Sequence, residues 1–407
     1  MRGGPPSRYG QAIHKLLHPA RMCCQYSWML VVRKRFGNRD ASLAASSGKA
    51  QQVAVQPTTP PPPETQTVKL TRIAAALSIL CFSPFTPAMA AVTWNAVSEY
   101  PATTMPGIGL ATFAEVLREQ SAGEVTVTPQ HDSPLGSLAA FEAVKAGTVQ
   151  VADMFGGPLG TVSPMFSLPS LPFVTASIDD TKCLQAATRA LYAKYFDSVG
   201  SRLLYSTPWP ATGLWSSKPV KTMEDVRDLN VRTYDAMSAA FVASIGVKGV
   251  NMPMGKALPL IKSGEITGVM SSGDGGAGQR LWENLPNFTA LSYAAPLSFT
   301  VVNKAAFDAL PKPMQDAVDK AGRTTEARLW TAIEGRQVKN YQAMKDNGVA
   351  IETSVPTAIQ PELKQAASTI IADWSGRAGP DAAAVLAKYE AKRNTGEAKQ
   401  DADYCAK

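Results

Sequence analysis

From Ala91 onward the apolar positions follow two rhythms in turn. Val92–Ser98 alternates apolar and polar residues, as a half-buried strand does, and Gly107–Ser121 places Leu110, Phe113 and Leu117 at helical spacing. Val125–Pro129 alternates again. Ser137–Ala146 is helical through Leu138, Phe141 and Val144 and stops at Gly147, and Thr148–Met154 is a third strand. The same order recurs further on. Strand Leu229–Thr233 precedes helix Asp235–Ile245 (Met237, Phe241, Ile245), Gly246 and Gly249 punctuate strand Val247–Met252, and helix Gly255–Ser263 ends at Gly264 before strand Glu265–Ser271. Strands alternating with helices build parallel sheets, whose ligands sit beyond the strands' carboxyl ends. Two such runs predict an α/β protein of two similar lobes.

Between the runs, Met165–Pro172 reads as a Pro-punctuated loop beside a cleft, followed by helix Asp180–Phe196 and strand Ser201–Ser206. The chain is expected to cross to the second lobe at Thr207–Ala211 and to return at Ala295–Thr300. Pro311–Asn347 reads as one helix of more than 30 residues, roughly 50 Å at 1.5 Å per residue, long enough to brace both lobes. Glu362–Ser375 and Pro380–Lys392 are closing helices. The expected division is 91–210 with 299–330 for the first lobe, 211–298 with 331–393 for the second lobe and brace, and 394–407 as a tail.

Charge changes the picture at the front of the chain. The 407 residues carry a formal +7, but 29 of the 40 Lys/Arg and 31 of the 33 Asp/Glu lie in 91–407, a net of −2. That part has no general basic field, which argues against nucleic acid as a partner. Lys69–Ala90 has the parts of a secretory signal: Lys69 and Arg72, the apolar run Ile73–Phe82, and Ala88-Met89-Ala90 as cleavage site. Ten apolar residues fall short of the roughly 20 needed to span a bilayer. Residues 1–68, rich in Arg, Gln and Pro, are expected to be either disordered or a mis-assigned extension, with the true start at Val68 or Leu70. N-terminal sequencing of the unprocessed precursor decides this, and a start at Met1 rejects it. Of five cysteines, Cys183 and Cys405 lie beyond the signal, compatible with one disulfide in an oxidising compartment.

Arg232, where the first strand of the second run ends, is the leading site candidate, because a fixed guanidinium holds a carboxylate through two parallel hydrogen bonds. Its plain alternative is a surface pairing with Asp228 or Asp235. Trp209, Trp215 and Tyr234 gather at the crossing and can sandwich a small organic acid, although each singly reads equally well as core. Ser271, Ser272 and Asp274 open the glycine-rich SSGDGGAG, read as a turn able to hold the ligand's second polar end. Tyr100 and Phe155-Gly156, at carboxyl ends of first-lobe strands, complete the set. No metal-ligating pair, phosphate loop or dinucleotide fingerprint is present, so no cofactor or metal is expected. His131-Asp132-Ser133 are adjacent, whereas a catalytic triad converges from separate positions.

These residues resemble the solute-binding proteins of TRAP transporters, the dicarboxylate-binding (DctP-like) family. The resemblance is carried by DVRDLNVR (225–232), VNMP (250–253), FEAVKAGTVQVAD (141–153), LPSLPFV (168–174), SKPVKTMED (217–225) and VNKAAFDALPKPMQDA (302–317). It implies a periplasmic-binding-protein fold with a long helix bracing both lobes, Arg232 as the carboxylate-gripping residue, and delivery of a small organic acid to an ion-gradient-driven permease. Two departures bear on the ligand. Ala211 stands where many members carry a second arginine, and Met270-Ser271-Ser272 where many carry Glu-Asn-Pro. A monocarboxylate, with room for a hydroxyl, an amine or a ring, is therefore expected over a dicarboxylate. The competing classes are a periplasmic enzyme acting on a small acid and the ligand-binding part of a sensor or another transporter.

Overall fold

The computed structural model describes residues 91–175 and 177–394. The extension 1–68, the signal 69–90 and the tail beyond 394 lie outside the described residues. The first lobe opens with β1 (Val92–Val97), α1 (Met105–Gln120), β2 (Val125–Gln130), α2 (Ser137–Lys145), β3 (Val151–Phe155) and the short α3 (Gly156–Leu159). A 3-10 helix (Pro164–Ser170) stands where a loop was expected. It is followed by α4 (Ile178–Ser198), started by a Ser177/Asp180 capping box, and β4 (Ser201–Pro208).

The second lobe comprises β5 (Thr212–Ser216), α5 (Met223–Arg227), β6 (Asn230–Thr233), α6 (Ala236–Ser244), β7 (Lys248–Asn251), α7 (Met254–Lys262), β8 (Gly268–Ser272), α8 (Gly273–Gly278) and β9 (Asn287–Thr289). The chain returns through β10 (Leu297–Asn303) and α9 (Lys304–Asp308). It then runs into α10 (Lys312–Ile333), α11 (Arg336–Asp346), β11 (Ala350–Glu352), α12 (Gln360–Arg377) and α13 (Pro380–Asn394).

The strands form two sheets. The first has the order β2-β1-β3-β10-β4 and the second β11-β9-β5-β8-β6-β7. Within each, the local βαβ strands are parallel, and one strand arrives antiparallel from the other lobe. β10 lies against β3 and β4, and β5 lies against β8 and β9. Registers place the start of β10 beside the ends of its neighbours (Leu297 with Pro208, Ser298 with Phe155), and the start of β5 beside the end of β8 (Thr212 with Ser272). Both crossings therefore enter at the carboxyl ends of the parallel strands, so those ends face one another.

The expected single brace is two helices. α10 packs on α1 and β4 of the first lobe, whereas α11 packs on α8 of the second. The break falls at Glu334–Gly335, where Gly335, lacking a side chain and weak in helix propensity, precedes α11. α12 lies on α6, and α13 lies on α4. Cys183, in α4, is buried and disulfide-bonded. Cys405, the partner with which the sequence is compatible, lies outside the described residues.

The first-lobe core holds an ionisable group at its centre. Asp153 is buried in β3 and accepts from Ser98 Oγ (3.1 Å) and Thr300 Oγ1 (3.2 Å). Burial pushes its carboxyl up to about 7, with the two hydroxyls opposing the shift. An unfolded aspartate loses its proton near pH 4 while the folded one keeps it to about 7. The stability this group contributes is therefore complete below pH 4 and is lost as pH rises through 7. Asp153→Asn is expected to gain stability relative to the native chain between pH 4 and 7.5, by about 1.4 kcal/mol for each tenfold difference in proton affinity between the folded and unfolded carboxyl. Urea melts at a series of pH values measure this, and a difference that stays constant with pH would refute it.

Candidate functional site

At the junction of the facing strand ends lies a cavity of about 450 Å³, mouth included, lined by residues of both lobes. Arg232 reaches it from the end of β6 and is 5% exposed. Its Nε donates to Met252 O beyond β7 (2.9 Å), and Nη1 makes a long contact with Met270 O on β8 (3.5 Å). The plain alternative of a surface ion pair is excluded by geometry: Asp228 pairs with Lys218, and Asp235 caps α6 through Ser238. Among the described residues no carboxylate lies within ion-pairing distance of the guanidinium. Burial lowers its pKa, and Tyr100, Glu99, Tyr234 and Asp235 act in the opposite direction. An arginine stays charged regardless, so the cavity wall holds a desolvated cation with donors to spare.

Four aromatic rings make the apolar walls. Tyr100 meets Trp209 edge-on at 4.8 Å, and Phe155 meets Trp209 at 6.1 Å and Tyr234 at 5.2 Å, both nearly perpendicular. Trp209 is fixed at the crossing: its backbone N–H donates to Pro296 O (3.0 Å) and its indole N–H to Ser298 Oγ (2.9 Å). A ring so held presents a face without losing conformational freedom on binding. The polar remainder is neutral, with Ser271, Ser272, Thr212 and Gln279 on the wall. Glu99, on the first lobe, is bound to the start of α2 by Ser137 Oγ (2.5 Å) and Ser137 N (3.1 Å). Burial raises its pKa, while Ser137 and the field of Arg232 oppose this.

The structure thus brings together Arg232, Trp209, Tyr234, Ser271, Ser272, Tyr100 and Phe155. It does not bring in three others. Trp215 is fully buried on the opposite face of β5 against Phe288 (5.2 Å), with its indole N–H donating to Ser272 O (3.2 Å). The segment after the crossing is a strand, and strand alternation turns residue 215 away from the face that carries Thr212. Asp274 is also buried, away from the cavity. In SSGDGGAG the two serines end β8, and the glycine run 273–278 is the short helix α8, not a turn, capped by Ser272 Oγ accepting from Gly275 N (3.1 Å). Within it Asp274 accepts from Arg336 Nε (2.6 Å), Asn340 Nδ2 (3.3 Å) and Met105 N (2.8 Å), so its charge is already used. Gly156 packs against Leu297 O and the Phe299 ring, behind the wall.

The end of the second strand of the second run, Pro253–Met254, converges on the same crevice by strand order, and Met254 is in the wall, whereas sequence reasoning missed Pro210, Thr212, Gly275, Gln279 and Pro296. Most sit on the crossing, return or helix-start segments, where no periodicity reveals a facing direction. Thr212 alone is reachable, once 212–216 is read as a strand. Among the described residues no cluster of His, Cys, Asp and Glu suits a metal ion, and no helix is long and apolar enough to cross a membrane.

Two α/β lobes that, among the described residues, leave a guanidinium without an ion-pair partner between aromatic walls have the chemistry that suits a small organic anion. The model of bacterial extracellular solute-binding protein family 7 matches residues 96–375, and the chain belongs to that family, the carboxylate-binding receptors of TRAP transporters. Members are solute-binding proteins rather than enzymes. Similar solved structures include DctP7 of Bordetella pertussis, an extracytoplasmic solute receptor binding pyroglutamic acid. It is 27% identical, has a TM-score of 0.71, and the match covers 74% of this chain and 100% of that one. DctP6 of the same organism, also binding pyroglutamic acid, is 26% identical with a TM-score of 0.70, covering 74% and 99%. The 2,3-diketo-L-gulonate-binding periplasmic protein YiaO of Escherichia coli is 24% identical over 296 residues, 71% of this chain and 89% of that protein.

The Asp274–Arg336 pair is structural, and its removal should be costly. Arg336→Ala leaves a fully buried carboxylate with only Asn340 and the Met105 amide, an expected loss of about 3 kcal/mol. Chemical denaturation reads this directly, and a loss below about 1 kcal/mol would show that the carboxylate finds solvent.

Proposed function

We propose that the protein captures a small monocarboxylate with a neutral, partly ringed body, pyroglutamate being the first candidate, and delivers it to a membrane permease. The observation that carries this is the buried Arg232 guanidinium, the one cation on the wall among the described residues, opposed only by neutral polar groups and aromatic rings. A second carboxylate on the ligand would be desolvated without a partner there, a cost of several kcal/mol. A free ammonium would likewise find no acid on the wall. A lactam or hydroxyl instead meets Ser271, Gln279 and Thr212 by ordinary hydrogen bonds. The two Bordetella receptors of pyroglutamic acid, above 25% identical, support the same choice. The secretory character of Lys69–Ala90 and the extracytoplasmic family support a periplasmic location after cleavage.

Isothermal titration against pyroglutamate, proline and glutamate tests the reading. Pyroglutamate is expected to bind, and proline and glutamate to bind at least about a hundredfold more weakly. Arg232→Ala is expected to abolish measurable binding, and Arg232→Lys to weaken it severely, because an ammonium cannot reproduce the paired geometry. Undiminished affinity in Arg232→Ala would place the ligand elsewhere, and equal affinity for glutamate would refute the neutral second end. Turnover of any bound acid would instead favour an enzyme.

A further inference from the structure

The lobes touch at points where one side has no side chain. Gly278, the last residue of α8 in the second lobe, faces the segment before α1 in the first. A β-carbon at 278 would lie 2.7 Å from Thr104 Cγ2, 3.8 Å from Thr103 Oγ1 and 3.9 Å from Pro101 Cγ. All three nearest atoms belong to the opposite lobe. Gly136, at the start of α2 in the first lobe, shows the reverse case. Its β-carbon would meet only Pro253, at 3.2 Å and 3.7 Å, at the start of α7 in the second. Neither glycine has a positive φ, so the backbone does not require glycine at either place. At 278 the other lobe excludes a side chain, and at 136 it leaves one only a tight contact.

Thr104 cannot simply turn aside. It is fully buried, its Oγ1 donates to Pro101 O (2.8 Å), and it caps α1. Rotation that moved Cγ2 would break both interactions. Beside it, Met105 N donates to Asp274 Oδ2 across the same seam at 2.8 Å, and Arg336 Nη2 donates to Thr103 O. Contact at Gly278 is therefore coupled to a hydrogen-bonded latch that forms only when the lobes meet.

We infer that Gly278, with Gly136 as its counterpart, sets how tightly the receptor closes, and so tunes ligand affinity without touching the ligand. Both act as positioning residues. This rests on the cleft being the binding site but not on which acid fills it. A methyl group at 278 penalises only the shut arrangement, and ligand affinity falls with the fraction of molecules able to shut.

The test uses Gly278→Ala and the double variant Gly278→Ala/Thr104→Ser, which removes the opposing methyl and keeps the capping hydroxyl. Two quantities are measured on the purified protein: hydrogen exchange of the Thr104, Met105, Gly107 and Ile108 amides, with and without pyroglutamate, and the affinity for pyroglutamate. Gly278→Ala is expected to speed exchange at Met105 and to weaken binding, each at least about tenfold, and the added Thr104→Ser to restore both. The ligand-free unfolding midpoint should not move. Native exchange and affinity in Gly278→Ala, or no recovery in the double variant, would overturn the inference. If the native chain fails to bind pyroglutamate, the ligand assignment fails, and the exchange data still decide the seam.

Discussion

A positive charge taken out of water without a fixed anion is the constraint on which the rest of this molecule depends. Removing an ion from water costs several kcal/mol even after relaxation, and two main-chain carbonyls return only part of it to Arg232. The surrounding acids are arranged to help without neutralising. Glu99 and Asp235 contribute favourable field at the guanidinium, yet each is tied elsewhere, to Ser137 and Ser238. Had either been free to form an ion pair with Arg232, the cation would already be neutralised and an incoming anion would gain little. Binding strength here is the part of a desolvation cost that the protein leaves uncompensated.

The topology explains how such a charge can be both buried and reachable. Parallel strands β6 and β8 end side by side, so Met252 beyond β7 and Met270 on β8 bring carbonyls to Arg232 from two directions. β5 enters its sheet beside the end of β8, and β10 enters the other sheet beside the ends of β3 and β4, which sets the chain crossings against the cavity. Trp209 belongs to one crossing and Pro296 to the other, joined by a backbone hydrogen bond. Rings of the cavity wall are thus carried by the segments that cross between the lobes.

Much of this is legible from residue order alone, because the βαβ runs obey strict periods. Leu229–Thr233 and Asp235–Ile245 fall within one residue of β6 and α6, and Arg232 falls at a strand end by counting. What escapes is whatever depends on strands arriving from far along the chain. β5, β9 and β11 are short, and β10 is buried along its whole length and so shows no alternation. Trp215 stands close to Trp209 in sequence, whereas the intervening start of β5 decides its face. The glycine run 273–278 reads as a turn by composition, yet it is helical. Gly276 sits where a β-carbon would lie 2.2 Å from Trp215, so its glycine answers to packing rather than to chain reversal.

Asp274 and Arg232 together show how a buried charge reveals its purpose. Both are ionisable, nearly sealed from solvent, and placed beside the cleft. Asp274 accepts from a guanidinium, an amide side chain and a backbone N–H, the last from the opposite lobe, leaving nothing for a ligand to supply. It fixes α11 and the start of α1 against α8, and its sequence neighbourhood, rich in glycine and serine, imitates a binding loop. Arg232 has the opposite balance, with several strong donors and only two carbonyl acceptors from the protein. Sequence context makes the two look like partners in one site. Saturation separates them: the charge the protein completes by itself joins the lobes, and the charge it leaves incomplete is the one still open to an anion.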